Sequence, residues 1–223
     1  MRPHTLAPGE YDPPHYPFVS VVHLDDQLIV LSKPAGLLSV PGKATEHADC
    51  LEARAQAIWP EARIVHRLDM ATSGLMVLAR GKDVLRHLGL QFEKRKVAKK
   101  YIADIWGAPS EDSGEIDLPL ITDWPNRPLQ KVDPENGRRA LTRWQVMEGY
   151  DGWTRIALFP ETGRSHQLRV HMKQIGHPIL GDVFYASGEA LTCRPRLHLH
   201  AEELTLHHPS NGERVTYTDH SLL

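Results

Sequence analysis

Within nine residues, His66-Arg67-Leu68-Asp69-Met70-Ala71-Thr72-Ser73-Gly74 gathers a base, an acid, two hydroxyls and a glycine. Apolar residues flank it, Ile64-Val65 before and Leu75 to Ala79 after. The second run is short, partly β-branched and closed by Arg80-Gly81, which predicts a buried strand. Asp69 would then sit on a loop feeding a core strand, held by rigid elements yet reachable, where chemistry is commonly mounted. A carboxylate so placed can act as base or nucleophile. It can equally cap the Thr72-Ser73-Gly74 turn through its side chain, and spacing alone favours that use.

Other notable segments lie on either side of it along the chain. They are Lys33-Pro34-Ala35-Gly36, Lys100-Tyr101-Ile102-Ala103 running to Gly107, Gly163-Arg164-Ser165-His166-Gln167-Leu168-Arg169-Val170-His171, and Leu199-His200-Ala201. Together with the Asp69 stretch, this ordered set resembles the motifs of the RluA-type pseudouridine synthases, over roughly residues 19 to 218. The resemblance implies that Asp69 is the catalytic residue, that Tyr101 lies against the target uracil, and that Arg164 pairs with Asp69. It also implies Arg67, His66, Thr72 and Leu168 as substrate-binding residues. Arg67 would fill the space left by a flipped base and stack through its guanidinium plane, although from its residue alone a surface ion pair is an equal reading. Asp123-Trp124-Pro125-Asn126-Arg127-Pro128 resembles the small dual-specificity members of the family, which act on 23S ribosomal RNA and transfer RNA. From its residues alone, this piece reads as a structural loop pinned by Trp124.

The implied reaction breaks the N1–C1′ bond of uridine, turns the uracil and joins C5 to C1′, with no water added and no cofactor consumed. That suits a single acid in the motif, because glycoside hydrolysis generally uses two carboxylates. Asp69 would work as a carboxylate, and Arg164 within roughly 4–6 Å would keep it ionised. Whether it attacks C1′, attacks C6 or removes a ribose proton stays open. A phenol of ordinary pKa, about 10, is a poor base at neutral pH, so stacking is the stronger expectation for Tyr101. The target must leave its stack, which costs least in loops; loop uridines of folded RNA are therefore the expected substrates.

The net charge of −2 argues against a protein that coats nucleic acid non-specifically. Local charge remains available in Lys94, Arg95, Lys96, Lys99 and Lys100, expected to hold the RNA backbone, or else simply a solvated face. Two cysteines, Cys50 and Cys193, without a CxxC spacing suit a reducing cytoplasm. No apolar run is long enough to cross a membrane, and residues 1–17 carry five prolines in place of a signal core. A monomer with no metal and no membrane partner is expected. Two rivals remain. One is a metal-dependent hydrolase using some of the fourteen histidines, such as His198 and His200 on one strand face. The five-residue separation of His166 and His171, with no HxxE or CxxC accompanying them, disfavours it. The other is an RNA-binding protein without catalysis.

The elements that must position these groups are legible in part. Residues 1–17 read as a proline-rich arm and 18–223 as one catalytic domain with no separate N-terminal RNA-binding domain. A hairpin is expected with strands at Val19 to Val22 and Leu28 to Leu31, turning at Asp25-Asp26-Gln27, with Lys33 facing water. Asp49 would cap a helix to about Trp59, with Leu51, Ala55 and Ile58 on its buried face. Asp83 to about Lys94 has Val84, Leu85, Leu88 and Phe92 at helical spacing, with Gln91 outward. Strands are expected at Tyr101 to Trp106, Leu141 to Val146, Thr154 to Phe159, Leu197 to Leu206 and Glu213 to Thr218, and 108–140 as turns. Thr162 or Ser165 would cap a helix carrying Leu168, Met172 and Ile175, whose positive end lies beside Arg164. Strands outnumber helices and hairpins outnumber crossovers. The fold class expected is α+β, a mixed, mostly antiparallel central sheet in two halves flanked by helices, and the resemblance adds a catalytic cleft between the halves.

Overall fold

The computed structural model describes residues 11–221; residues 1–10 of the expected arm lie outside the described residues. In chain order the elements are β1 (Ser20–Leu24), β2 (Leu28–Lys33), α1 (Leu51–Ile58), β3 (Ala62–Ile64), β4 (Ser73–Arg80), α2 (Lys82–Glu93), β5 (Ala98–Trp106) and β6 (Ser113–Asp117). There follow β7 (Leu120–Thr122), β8 (Gln130–Val132), β9 (Leu141–Tyr150), β10 (Trp153–Pro160), α3 (Gln167–Gln174), α4 (Gly188–Thr192), β11 (Leu199–His207) and β12 (Arg214–Thr218). The class is α+β, a mixed sheet with few helices. Residues 11–99 with 201–221 form one compact unit, and 100–200 form the other.

In the first unit the strands run in the order β1-β2-β4-β11, with β3 on β4 and β12 on β11. The β1–β2 turn is closed by Asp25, whose Oδ1 accepts the amides of Gln27 at 2.7 Å and Leu28 at 2.8 Å. Every residue of β4 from Ser73 to Ala79 is buried. The cause is its central place: strands on both sides cover its edges, while Leu75, Val77 and Ala79 share a face packed with Val84 and Leu88 of α2 and with Leu204 and Leu206 of β11. Burying each of the larger side chains contributes roughly 1.5–3 kcal/mol.

Polar residues hold this unit together where the hydrophobic pattern is silent. Gln91, expected to face outward, is buried; its amide donates to the His207 carbonyl at 2.7 Å and accepts the His207 amide at 2.8 Å. It thereby pairs with β11 as a strand would. Lys33, expected to face water, is fully buried, and its ammonium donates to the carbonyls of Pro34 and Leu37 at 2.8 Å and of Met70 at 3.1 Å. Carbonyls left over by the Pro34 to Gly36 turn replace its hydration shell. Helix α1 is capped by Cys50 and not Asp49: the Cys50 sulfur accepts the Ala53 amide at 3.4 Å. Asp49 grips the buried Arg54 from both oxygens, at 2.7 and 2.6 Å, while Ile58 is exposed. Tyr11 anchors the described part of the arm, donating its hydroxyl to the Asp49 carbonyl at 2.8 Å and accepting the Leu38 amide at 2.9 Å.

In the second unit β5-β10-β9-β6 are antiparallel neighbours, and β7–β8 form a separate hairpin inside the stretch expected to be turns. Gly152 turns β9 into β10 at φ +78°. Neither Thr162 nor Ser165 caps α3; its start is organised by the buried Gln167. The Gln167 Oε1 accepts the Thr162 hydroxyl at 2.7 Å and the Arg164 amide at 3.0 Å, while its Nε2 donates to the Leu141 carbonyl and the Thr142 hydroxyl, both at 3.0 Å. Arg169 and Asp182, both buried, make a two-pronged ion pair at 2.8 and 2.6 Å. A second buried carboxylate, Asp104 on β5, takes Arg155 at 2.8 and 3.1 Å and His198 at 3.0 Å.

Candidate active site

The loop that enters β4 is fixed through its backbone. Ser39 Oγ donates to the Leu68 carbonyl at 2.7 Å and accepts the Leu68 amide at 3.1 Å. On the other side of Asp69, the Met70 carbonyl accepts both Lys33 and the Gly36 amide, the latter at 2.8 Å. The Asp69 carbonyl itself accepts the Thr72 amide at 3.1 Å, closing the turn. Asp69 is half-buried and Arg67 exposed, so the loop presents an acid and a guanidinium from a rigid base. Gly74 ends the loop at φ +112°, a conformation that glycine adopts without the penalty a Cβ imposes, and it lies directly against the Ala201 backbone of β11.

Two residues of this loop that are expected at the substrate are enclosed by the fold. Thr72 is buried at 3% exposure. His66 Nε2 accepts the Val77 amide of β4 at 3.1 Å, so its proton resides on Nδ1, and the ring stacks on Phe92 with centroids 4.7 Å apart. Burial, assisted by the Lys99 charge, drives the His66 pKa down to about 3 and keeps the ring neutral.

The remaining candidates belong to the second unit. Tyr101 is half-buried on β5 opposite Leu158 of β10, within strands whose register is unbroken. Arg164 is half-buried, with its amide on Gln167 and its Nε donating to the Arg139 carbonyl at 3.1 Å. Leu168, in the first turn of α3, is buried at 7% exposure. His166 precedes it in the left-handed region at φ +53°, its Nδ1 2.7 Å from the Tyr185 hydroxyl. A bend of this kind in a non-glycine residue is costly and is held here by Tyr185 and by the Gln167 network behind it.

The basic run divides. Lys94, Arg95 and Lys96 are exposed, whereas Lys99 and Lys100 are half-buried. Burial, then the nearby Arg95 charge, lowers the Lys99 pKa. Its strand position on β5, invisible in a list of charges, turns it away from bulk water.

His171 and His198 are engaged within the fold. His171 is fully buried, with Nε2 donating to the Leu118 carbonyl at 3.1 Å and Nδ1 at 3.0 Å from the Thr142 hydroxyl; burial lowers its pKa, and the neutral ring fits both partners. For Asp104, burial acts to raise the carboxyl pKa, but the hydrogen bonds from His198 and Arg155 outweigh it and hold the pKa below the ordinary value. Among the described residues no group of three His, Cys, Asp or Glu is placed to hold a metal ion, and no helix is long and apolar enough to cross a membrane.

Missed by the sequence were the supporting residues Lys33, Ser39, Gln167 and Tyr185. The one usable signal was Lys33, a lysine ending an otherwise apolar strand just before a proline turn.

A strand-rich α+β frame of this kind has known counterparts. The RNA pseudouridylate synthase family model matches residues 27–174. The chain belongs to that family, and its activity is that of an RNA pseudouridine synthase, an isomerase. It is 53% identical over 208 residues to the dual-specificity RNA pseudouridine synthase RluA of Escherichia coli strain K12, covering 93% of this chain and 95% of that protein. With RluA of Vibrio cholerae it shares 50% identity over 204 residues, covering 92% and 83% respectively. Among solved structures, human RNA pseudouridylate synthase domain containing 4 aligns with a TM-score of 0.74 at 28% identity, covering 90% of this chain and 87% of that one. Human RNA pseudouridylate synthase domain containing 1 aligns with the same score at 27% identity, covering 92% and 90%.

Proposed function

We propose that this protein isomerises loop uridines in both ribosomal and transfer RNA, the substrates being 23S ribosomal RNA and tRNA stem-loops, with Asp69 as the group that reacts at the nucleoside. The observation that carries this reading is the triple anchoring of the Asp69 loop by Ser39, Lys33 and the Thr72 amide. It holds one carboxylate still while leaving it reachable, which is what positional catalysis demands. In the reaction the N1–C1′ bond breaks, C5 bonds to C1′, the C5 proton leaves, and N1 ends protonated. Asp69 acts in its ionised form, as nucleophile or base. Arg164 supplies a positive charge that turnover requires, and Tyr101 offers its ring to the uracil. Arg67 occupies the stack vacated by the flipped base, and Leu168 lines the pocket that receives it. Lys94, Arg95 and Lys96 hold backbone phosphates, joined by Lys100 where RNA reaches the strand. No metal or cofactor takes part, and the protein works as a monomer in the cytoplasm.

The test is tritium release from RNA labelled at uracil C5, since forming the new bond expels that hydrogen. The parental protein should release tritium from a uridine-bearing hairpin, and Asp69→Asn should release none above background. Parental-rate release by Asp69→Asn would end the proposal.

A further inference from the structure

Trp124 does not pin its loop, as a tryptophan in a turn-rich stretch would be expected to do. It is 66% exposed, at the tip of the β7–β8 hairpin. The loop is nonetheless rigid. The Asp123 amide donates to the Leu129 carbonyl at 2.9 Å, the Asn126 amide to the Asp123 carbonyl at 2.9 Å, and the Leu129 amide to the Asn126 carbonyl at 3.0 Å. Asn126 also donates its side chain to the Asp123 carboxylate at 2.8 Å, and Pro125 and Pro128 restrict the backbone. An indole held in water by a pre-ordered loop gains the fold little; its large apolar face would be buried if stability alone selected it.

Its company is cationic. The Arg127 guanidinium carbon lies 4.6 Å from the Trp124 ring centroid, and Arg127 and Lys131 are both exposed. The acid at the tip, Asp123, is turned onto Asn126. An aromatic face with a stacked guanidinium and a further amine fits an unpaired nucleobase with its flanking phosphate. The hairpin is also tied to the Arg164 loop. The Gln130 amide donates to the Tyr185 hydroxyl at 2.9 Å, the same hydroxyl that meets His166. Leu120 bonds the backbone of Arg138, whose neighbour Arg139 accepts Arg164. The tip and Arg164 therefore share one frame.

We infer that Trp124 and Arg127 form a second RNA-binding point, at which Trp124 stacks on an unpaired base other than the target uridine. This rests on the RNA-modifying function proposed above. The test uses a short RNA hairpin with a uridine-bearing loop, the fully paired duplex of its stem as a control, and the full-length protein as parent, Trp124→Ala, Trp124→Phe and Arg127→Gln. Trp124→Ala should raise KM for the hairpin on the order of ten- to a hundredfold with little change in kcat, and Trp124→Phe should restore most of the loss. Arg127→Gln should weaken binding and flatten its salt dependence by about one counterion. In protein labelled with 5-fluorotryptophan, the one fluorine resonance missing from Trp124→Phe should be the one the hairpin shifts and the duplex does not.

An unchanged KM for Trp124→Ala, or a Trp124 resonance indifferent to the hairpin, would overturn the inference. So would a change in sedimentation without a change in KM, which would mark the tip as a contact between copies of the chain. Absence of tritium release by the parent would defeat the proposed function instead, and the fluorine resonance would still report on the tip.

Discussion

Replacing Gly74 by alanine tests the junction between the acid-bearing loop and β4 directly. A Cβ built there falls 2.3 Å from the Ala201 carbonyl oxygen, 2.5 Å from its nitrogen and 2.7 Å from its carbonyl carbon, all backbone atoms of β11 that no rotamer change can clear. Overpacking of this kind costs about 1–3 kcal/mol. Holding a side chain at φ +112° adds roughly 1–3 kcal/mol more. A total loss of about 2–6 kcal/mol in a chain of this length lowers Tm by roughly 5–20 °C. Gly89 supplies the internal control. It lies inside α2 with nothing within 4 Å of a built Cβ, so Gly89→Ala should raise stability by about 0.5–1 kcal/mol, through helix propensity alone. Thermal unfolding followed by circular dichroism reads both. A Gly74→Ala protein melting within a degree of the parent would refute the close approach of β4 and β11, and with it the account of how the Asp69 loop is held.

Acid should destabilise the protein in part through His66. Its folded pKa of about 3 lies below its ordinary 6.5, so the unfolded chain takes up the proton first; this contribution is complete above about pH 6.5 and is lost as pH falls toward 3. Urea titrations of His66→Gln should show a flatter decline across that window, and a parental slope would exclude the assignment. Arg169→Met should cost about 3–5 kcal/mol by stranding the buried Asp182 carboxylate, and adding Asp182→Asn should recover part of it, since the amide oxygen still accepts the Phe184 amide. Equal stability of the single and double variants would contradict that. Arg164→Ala should lower kcat more than it raises KM in the tritium assay, with Tm nearly unchanged. A pure KM effect would move Arg164 from catalysis to binding.

Hydrophobic period and turn chemistry made the β1–β2 hairpin, β4, α2 and the β9–β10 hairpin readable, because in each the apolar pattern and its punctuation agree. The sequence was least readable where a polar side chain substitutes for backbone pairing. Lys33, Gln91 and Gln167 look like surface residues in any hydropathy scale, and only the three-dimensional array of unused carbonyls and amides explains their burial. Strands β7 and β8 are three residues each, too short for a period of two to declare itself. Asp69 stood out through its motif's resemblance to a family, since spacing alone made it a turn cap. Trp124 was read as a pin because exposure of an aromatic leaves no trace in the order of residues.

The clamp between Gln91 and His207 joins positions 116 residues apart. On the ribosome, where residues 91 and 207 emerge on the order of ten seconds apart at usual elongation rates, α2 and β4 must wait for the strand that completes their layer. All of the 100–200 unit is synthesised in the interval, while one flank of β4 stays an open, apolar ladder of the kind that invites misassembly. Birth is therefore the hazardous period for this chain, and a message truncated shortly before codon 200 would leave that edge permanently bare.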